Sequence, residues 1–343
     1  MTTETPIALA AAPAAAPAAA MPMPMPIAEL GERARALREQ VGRAFIGQPE
    51  VFEQALLALL AAGHVLVEGV PGLGKTLLVR ALAAAVGCSF GRIQFTPDLM
   101  PADVTGHAVY DPKTESFRIR RGPVFANLLL ADEINRAPAK TQAALLEAMQ
   151  EGQATIEGRR LPLPTPFMVV ATQNPIEQEG TYALPEAQLD RFLVKVLIGY
   201  PSLEDERRMV AEVVDGKLAA DLDVSQVKPV VDQAGLLAMQ RGVAAIRMDA
   251  AVTDYAVRIV RATREWPGVI GGAGPRGGLA LARLARARAA LDGRDFVVPD
   301  DVRSVVLPAL RHRLLLAPEA LLERQRPDDV LAALLHKVVA PRQ

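Results

Sequence analysis

One cysteine, four histidines and one tryptophan are all that 343 residues hold of those types. A lone Cys88 excludes an internal disulfide. His64, His107, His312 and His336 are scattered, so no thiolate–imidazole cluster for a structural metal is expected. A reducing cytoplasm suits that chemistry. No stretch approaches the roughly 20 uninterrupted apolar residues of a membrane span. The net charge is −1, and without a basic excess a global electrostatic grip on nucleic acid is disfavoured. The first basic residue is Arg33, and prolines interrupt every apolar stretch before it, which argues against a signal peptide. No internal repeat at a solenoid period is present.

What remains is an Ala- and Leu-rich chain, 50% hydrophobic and 22% charged, long enough for about two domains. Residues 1–26 carry Pro6, Pro13 and Pro17 and then alternate Met and Pro, which reads as a disordered or polyproline-like arm, a linker or a docking segment. A helical pattern begins at Ile27, and a second helix is expected over 49–62. The short apolar run 64–68, bounded by Gly63 and Gly69, predicts a buried strand, and a helix follows over 75–86. Further strands are expected at 89–95, 128–131, 167–172 and 192–198, with helices at 140–150 and 185–191. Strands alternating with helices imply an α/β domain whose parallel sheet is covered on both faces. Two inserts, 109–120 and 154–163, read as hairpins. After Pro201 the patterns are helical only, starting at Ser202 with Asp205 in a capping-box arrangement and running to Asp215. Later helices are expected at 229–245, 249–265, 276–292, 299–310 and 327–339. The division is therefore an arm at 1–26, an α/β unit at 27–200 and a helical unit at 201–343.

Between the first strand and its helix lies Gly69-Val70-Pro71-Gly72-Leu73-Gly74-Lys75-Thr76, a full match to the phosphate-loop pattern in its required strand–loop–helix setting. Glycines let successive backbone N–H groups turn inward as an anion nest, and the helix beginning near Lys75 aims its positive end at the same place. Lys75 would reach the β- and γ-phosphates of ATP, and Thr76 would ligate Mg²⁺. Leu77 completes the expected contact set.

Leu128-Leu129-Leu130-Ala131-Asp132-Glu133 is a buried-strand pattern ending in two acids. At the C-terminal end of a parallel strand beside a phosphate loop, Asp132 would hold Mg²⁺ and Glu133 would act as general base on the lytic water. Asn174, at the tip of the next strand, fits a hydrogen bond to the γ-phosphate or the water equally as well as an Asn-Pro turn with Pro175.

With these elements in order, the chain resembles AAA+ ATPases from about residue 27 to its end, and within them the MoxR family. The resembling stretches include Phe45-Ile46-Gly47-Gln48, Glu68–Thr76, Phe95–Leu99, Gly122–Ala137, Leu145–Met149, Ala171–Pro175 and Leu184–Phe192. The resemblance implies a P-loop sheet domain with a helical lid, assembled as a ring that is usually hexameric, and it ties the hairpins to a clade that includes magnesium chelatase. It makes Ile46 and Gly47 the adenine contacts, Asn174 the sensor, Arg191 the arginine finger and Arg276 the lid arginine that touches the γ-phosphate. Without it, Arg191 and Arg276 would be ordinary helix-end arginines in structural ion pairs. The arginines of 281–291, Arg283, Arg286 and Arg288, read as the solvated face of an amphipathic helix with Leu281, Leu284, Ala287 and Leu291 inside, the alternative being a contact with nucleic acid or a partner's acidic surface.

The function implied is ATP hydrolysis driving chaperone-like remodelling, activation or metal-cofactor insertion of partner proteins. Partners expected from the resemblance are proteins with von Willebrand factor A-type domains and their clients. Two alternatives stand beside it: a nucleic-acid-remodelling motor, disfavoured by the near-neutral charge, and a nucleotide-gated scaffold with little hydrolysis, disfavoured by Glu133 and Arg191.

Overall fold

The structure is a computed structural model that describes residues 22–175, 181–214 and 224–341. Two helices, α1 (Ile27–Gly42) and α2 (Pro49–Leu60), precede β1 (Val65–Glu68), α3 (Lys75–Ala85) and β2 (Phe90–Gln94). A short α4 (Pro101–Thr105) leads into the hairpin β3 (Gly106–Asp111) and β4 (Ser116–Arg121). Then come β5 (Leu128–Asp132), α5 (Ala139–Glu151), a second hairpin β6 (Gln153–Ile156) and β7 (Arg159–Pro162), β8 (Met168–Gln173), α6 (Glu186–Leu189) and β9 (Val194–Leu197).

Five of these strands form one sheet in the order β2-β5-β8-β1-β9, and every pairing in it is parallel. The apolar runs explain why. Leu128 and Leu130 enter one core with Val65, Val67 and Val194. Leu129 and Ala131 point the other way and meet Leu66, Phe95 and Phe192. A strand buried on both faces needs hydrophobic residues at consecutive positions, and each fully buried leucine contributes about 1.5–3 kcal/mol. Parallel strands also put all their C-terminal ends on one edge of the sheet. Gly69, Glu133 and Asn174 therefore gather on that edge, whereas His64 and Leu193, joined by a Leu193 N–H to His64 carbonyl bond of 2.8 Å, lie on the opposite one.

Beyond Pro201 the chain forms α7 (Leu203–Val214), α8 (Gln233–Ala244), α9 (Ala250–Arg264), β10 (Val269–Gly271), α10 (Pro275–Leu291), α11 (Pro299–Leu310), β11 (Leu315–Leu316), α12 (Pro318–Leu322) and α13 (Pro327–Lys337). A small antiparallel pair thus sits among the helices, with Val269 opposite Leu316; strands of three and two residues are too short to show a period-2 pattern. The Asp215 end of the first of these helices lies outside the described residues, as does the arm up to residue 21. Its last residues run along α8, where the Met25 N–H donates to Ala238 O (2.9 Å) and Arg241 donates to Pro22 O (2.6 Å).

The α10 arginines lie on the expected solvent-facing side, Arg283 exposed and Arg286 and Arg288 partly so, yet two of them also bond to a neighbouring helix. Leu281, Leu284, Ala287 and Leu291 are buried as the periodicity requires, and Arg283 donates to Ala61 O and, at 2.8 Å, to Ala62 O at the end of α2. Arg288 pairs with Glu53. The reason is packing: α10 crosses α2, and long guanidinium stems reach the unsatisfied carbonyls of its last turn.

Candidate nucleotide site

At the end of β1 the backbone crowds against β9, and a Cβ on Gly69 would lie 2.4 Å from Ile198 O. Only glycine fits there. The loop then turns through Gly74, whose φ of 77° is left-handed, so that α3 begins at Lys75 with its first N–H groups facing the loop. Lys75 Nζ folds back to donate to Gly69 O at 2.6 Å. Burial pulls the Lys75 pKa below the usual lysine range, opposed by the nearby charges of Asp132 and then Glu133. The ammonium is thus bonded to one loop carbonyl, that of Gly69, with both acids near enough to act on it through their charge. Gly47 closes one flank of this region against the segment after β9: its Cβ would sit 2.7 Å from Asp205 Cβ, and Gln48 Nε2 donates to Gly199 O at 3.0 Å.

The acids are anchored by β8. The Thr172 hydroxyl donates to Asp132 Oδ1 (2.7 Å) and accepts from the Glu133 N–H (2.8 Å). Glu133 itself has a left-handed φ of 55°, which turns its side chain out of the strand direction. From β2, Arg92 pairs with Asp132 Oδ2 at 2.8 Å and Gln94 Nε2 donates to Glu133 Oε2 at 2.7 Å. Arg136 Nε lies 3.1 Å from the same oxygen. Asn174, just past β8, is buried. Sequence reasoning missed Thr172, Arg92 and Gln94. A polar threonine closing the apolar run Val169-Val170-Ala171 was the available signal for the first.

Among the described residues no group of three or more His, Cys, Asp and Glu could cage an ion. Thr76 and Asp132 are two hard oxygen donors, and Mg²⁺ is ordinarily held by one or two protein oxygens with phosphates and water completing its shell. The donor set fits Mg²⁺ arriving with a triphosphate.

Arg191 and Arg276 stand elsewhere. Together with His64, Asp190, Arg283 and Arg313 they line an open cleft of 320 Å³ at the N-terminal ends of β1 and β9. Arg191 donates to Leu146 O at 2.6 Å, and Arg276, half-exposed, lies 3.8 Å from Asp190 Oδ2. From His64 to Gly69 the strand advances roughly 16 Å at about 3.3 Å per residue. The two arginines therefore share a face with each other and not with Lys75 of their own chain.

Comparisons with known proteins show the family. Residues 64–194 match the model of an ATPase family associated with various cellular activities (AAA), and residues 261–334 match an AAA lid domain. The chain is 46% identical to the uncharacterized protein YeaC of Bacillus subtilis over 89% of its own length and 94% of the relative's. It is likewise 46% identical to the chaperone MoxR1 of Mycobacterium tuberculosis, over 92% of this chain and 84% of the relative. A solved structure of an inferred ATPase from Cytophaga hutchinsonii superposes with a TM-score of 0.85 at 37% identity, covering 92% of this chain and 97% of that one. A phosphate loop, an acid pair beside it and a following helical lid, in a chain this similar to named MoxR proteins, make this protein an ATPase of the MoxR family of AAA proteins.

Proposed function

We propose that the protein hydrolyses ATP to ADP and phosphate within a homo-oligomeric ring, hexameric as in the wider class, and uses the cycle to remodel or activate partner proteins. In this reading residues 27–200 are the nucleotide-binding unit and 201–343 the lid. Backbone N–H groups of 69–76 and Lys75 bind the β- and γ-phosphates, while Ile46, Gly47 and Leu77 flank the nucleoside side. Mg²⁺, held by Thr76 and Asp132, would neutralise charge on the phosphate oxygens. Glu133 takes the proton of the attacking water; to do so its Oε2 has to leave Gln94 and Arg136, which engage it now. Asn174 orients that water against the γ-phosphate.

Arg191 and Arg276 act on the site of an adjoining copy. The observation that carries this reading is their place across the sheet from Lys75, beside one another and lining a single cleft. A finger supplied in trans is worth ~10³–10⁵ in rate, against about 0–1 kcal/mol for an exposed ion pair. The partners expected are proteins with von Willebrand factor A-type domains and their clients, in the cytoplasm. No helix among the described residues is long and apolar enough to cross a membrane.

The test is subunit mixing. Arg191→Ala keeps its phosphate loop but lacks the finger; Lys75→Ala has a finger but no functional loop. Each alone should turn over ATP ~10³-fold or more slowly than the parent, and mixing them should restore a measurable share of the parent rate. Mixtures as inactive as their components, or near-normal turnover by pure Arg191→Ala, would remove Arg191 from the site.

A further inference from the structure

Arg191 is flanked by an ion pair that sequence reading does not suggest. Arg313, from the turn after α11, is almost wholly buried, with 4% of its side chain exposed. Its Nε donates to Asp190 Oδ1 at 2.7 Å. The same guanidinium donates to Phe192 O at 2.8 Å and Asp190 O at 3.3 Å, and also reaches Leu193 O and Ala309 O. It therefore grips the main chain on both sides of Arg191. The preceding His312 adds a bond of 3.1 Å between its Nε2 and Phe192 O.

Burial pulls the Arg313 pKa down, and the hydrogen bond and charge of Asp190 oppose that shift. A guanidinium out of water is tolerable only with such a partner. Asp190 in turn faces two lid arginines. Oδ1 takes the buried Arg313, and Oδ2 lies 3.8 Å from Arg276, whose side chain is 51% exposed. Arg191 is held by one bond to Leu146 O, and its buried Nε has no partner among the described residues. Its own contacts do not fix its direction; the clamped backbone on either side does.

We propose that Asp190 and Arg313 form a clamp that positions Arg191, and through the outer oxygen of Asp190 also Arg276, for the γ-phosphate of the adjoining copy. Both are positioning residues: neither touches nucleotide. The clamp joins the lid, through Arg313, to the finger-bearing segment, so a lid movement in one copy is passed to the finger it offers its neighbour. This inference rests on the proposed role of Arg191.

The experiment measures steady-state ATPase kinetics of the full chain for Asp190→Asn, for Arg313→Lys and for mixtures of each with Lys75→Ala. Asp190→Asn keeps the shape and removes the charge; Arg313→Lys keeps the charge and removes the planar fork. Each should lower kcat about 10- to 100-fold, as small misplacements of reacting groups do. KM for ATP should stay within about threefold, because the phosphate loop lies across the sheet. Mixing with Lys75→Ala should restore activity to the level of the Arg191→Ala plus Lys75→Ala mixture. A variant that is merely misfolded, or defective in its own loop, has no working site for the partner's finger to complete.

Loss of activity that mixing does not restore would overturn the clamp, since the defect would then lie in the variant's own site. So would kcat within about twofold of the parent in both variants while Arg191→Ala abolishes turnover. If Arg191→Ala itself turned over normally, the finger assignment would fall first, a different and separable result.

Discussion

His64, at the start of β1, titrates in a way that can be followed by unfolding. Its Nδ1 lies 3.0 Å from the backbone N–H of Val169, which needs an acceptor, and its Nε2 lies 3.2 Å from Met149 O, which needs a donor. The neutral ring with its proton on Nε2 satisfies both; a second proton on Nδ1 would face the Val169 N–H donor to donor. Burial lowers the pKa from 6.5 to about 4, the Met149 bond opposes the shift, and the charge of Arg283 adds to it. Between those values the unfolded chain binds a proton that the folded one refuses. Stability from this residue is complete above about pH 6.5 and is lost as pH falls toward 4. At one pKa unit per 1.36 kcal/mol, the loss between pH 7 and pH 5 is about 2 kcal/mol. His64→Asn removes the titration. Urea unfolding of both proteins at the two pH values should show the parent losing about 2 kcal/mol more than the variant. His312 is shifted in the same direction, first by burial, but it is present in both proteins and cancels in the difference. Equal losses in the two proteins would refute the tautomer and burial argument.

Two further outcomes follow from the phosphate-loop edge. Glu133→Gln keeps the size and the Gln94 contact but cannot take a proton, so it should bind ATP normally while turnover falls ~10²–10⁴-fold; in pull-downs it should retain clients that the parent releases. Gly69→Ala would force a methyl to within 2.4 Å of Ile198 O, costing about 1–3 kcal/mol or more, and should lower the melting temperature and abolish nucleotide binding as measured by calorimetry.

What could be read from the sequence was whatever is local. The phosphate loop declares itself because Gly72 and Gly74 occupy positive φ within a few residues of Lys75. The strand carrying Asp132 is legible because both its faces are buried, which writes four apolar residues in a row. Both hairpins and the helices after Pro201 follow from alternation and 3.6-residue periodicity. What escaped was contact between distant residues of ordinary type. Thr172 bridges two acids one strand away, and Arg92 and Gln94 reach those acids from β2. Arg283 and Arg288 read as surface charges, and they keep that side of the helix; their bonds to α2 are what no pattern reports. Arg313 meets Asp190 across 123 residues, and no periodicity reports such a pairing. Arg191 and Arg276 were named through family resemblance; that they share a cleft across the sheet from Lys75 follows only from the parallel topology.

The most direct test of the account is ATP binding in the presence of Mg²⁺ by the parent and by Lys75→Ala, measured by calorimetry or filter retention. The account predicts saturable binding by the parent and its loss in the variant, since the ammonium held at Gly69 O is the one mobile charge placed in the loop for the phosphates. Equal retention by both proteins, or none by either, would contradict it.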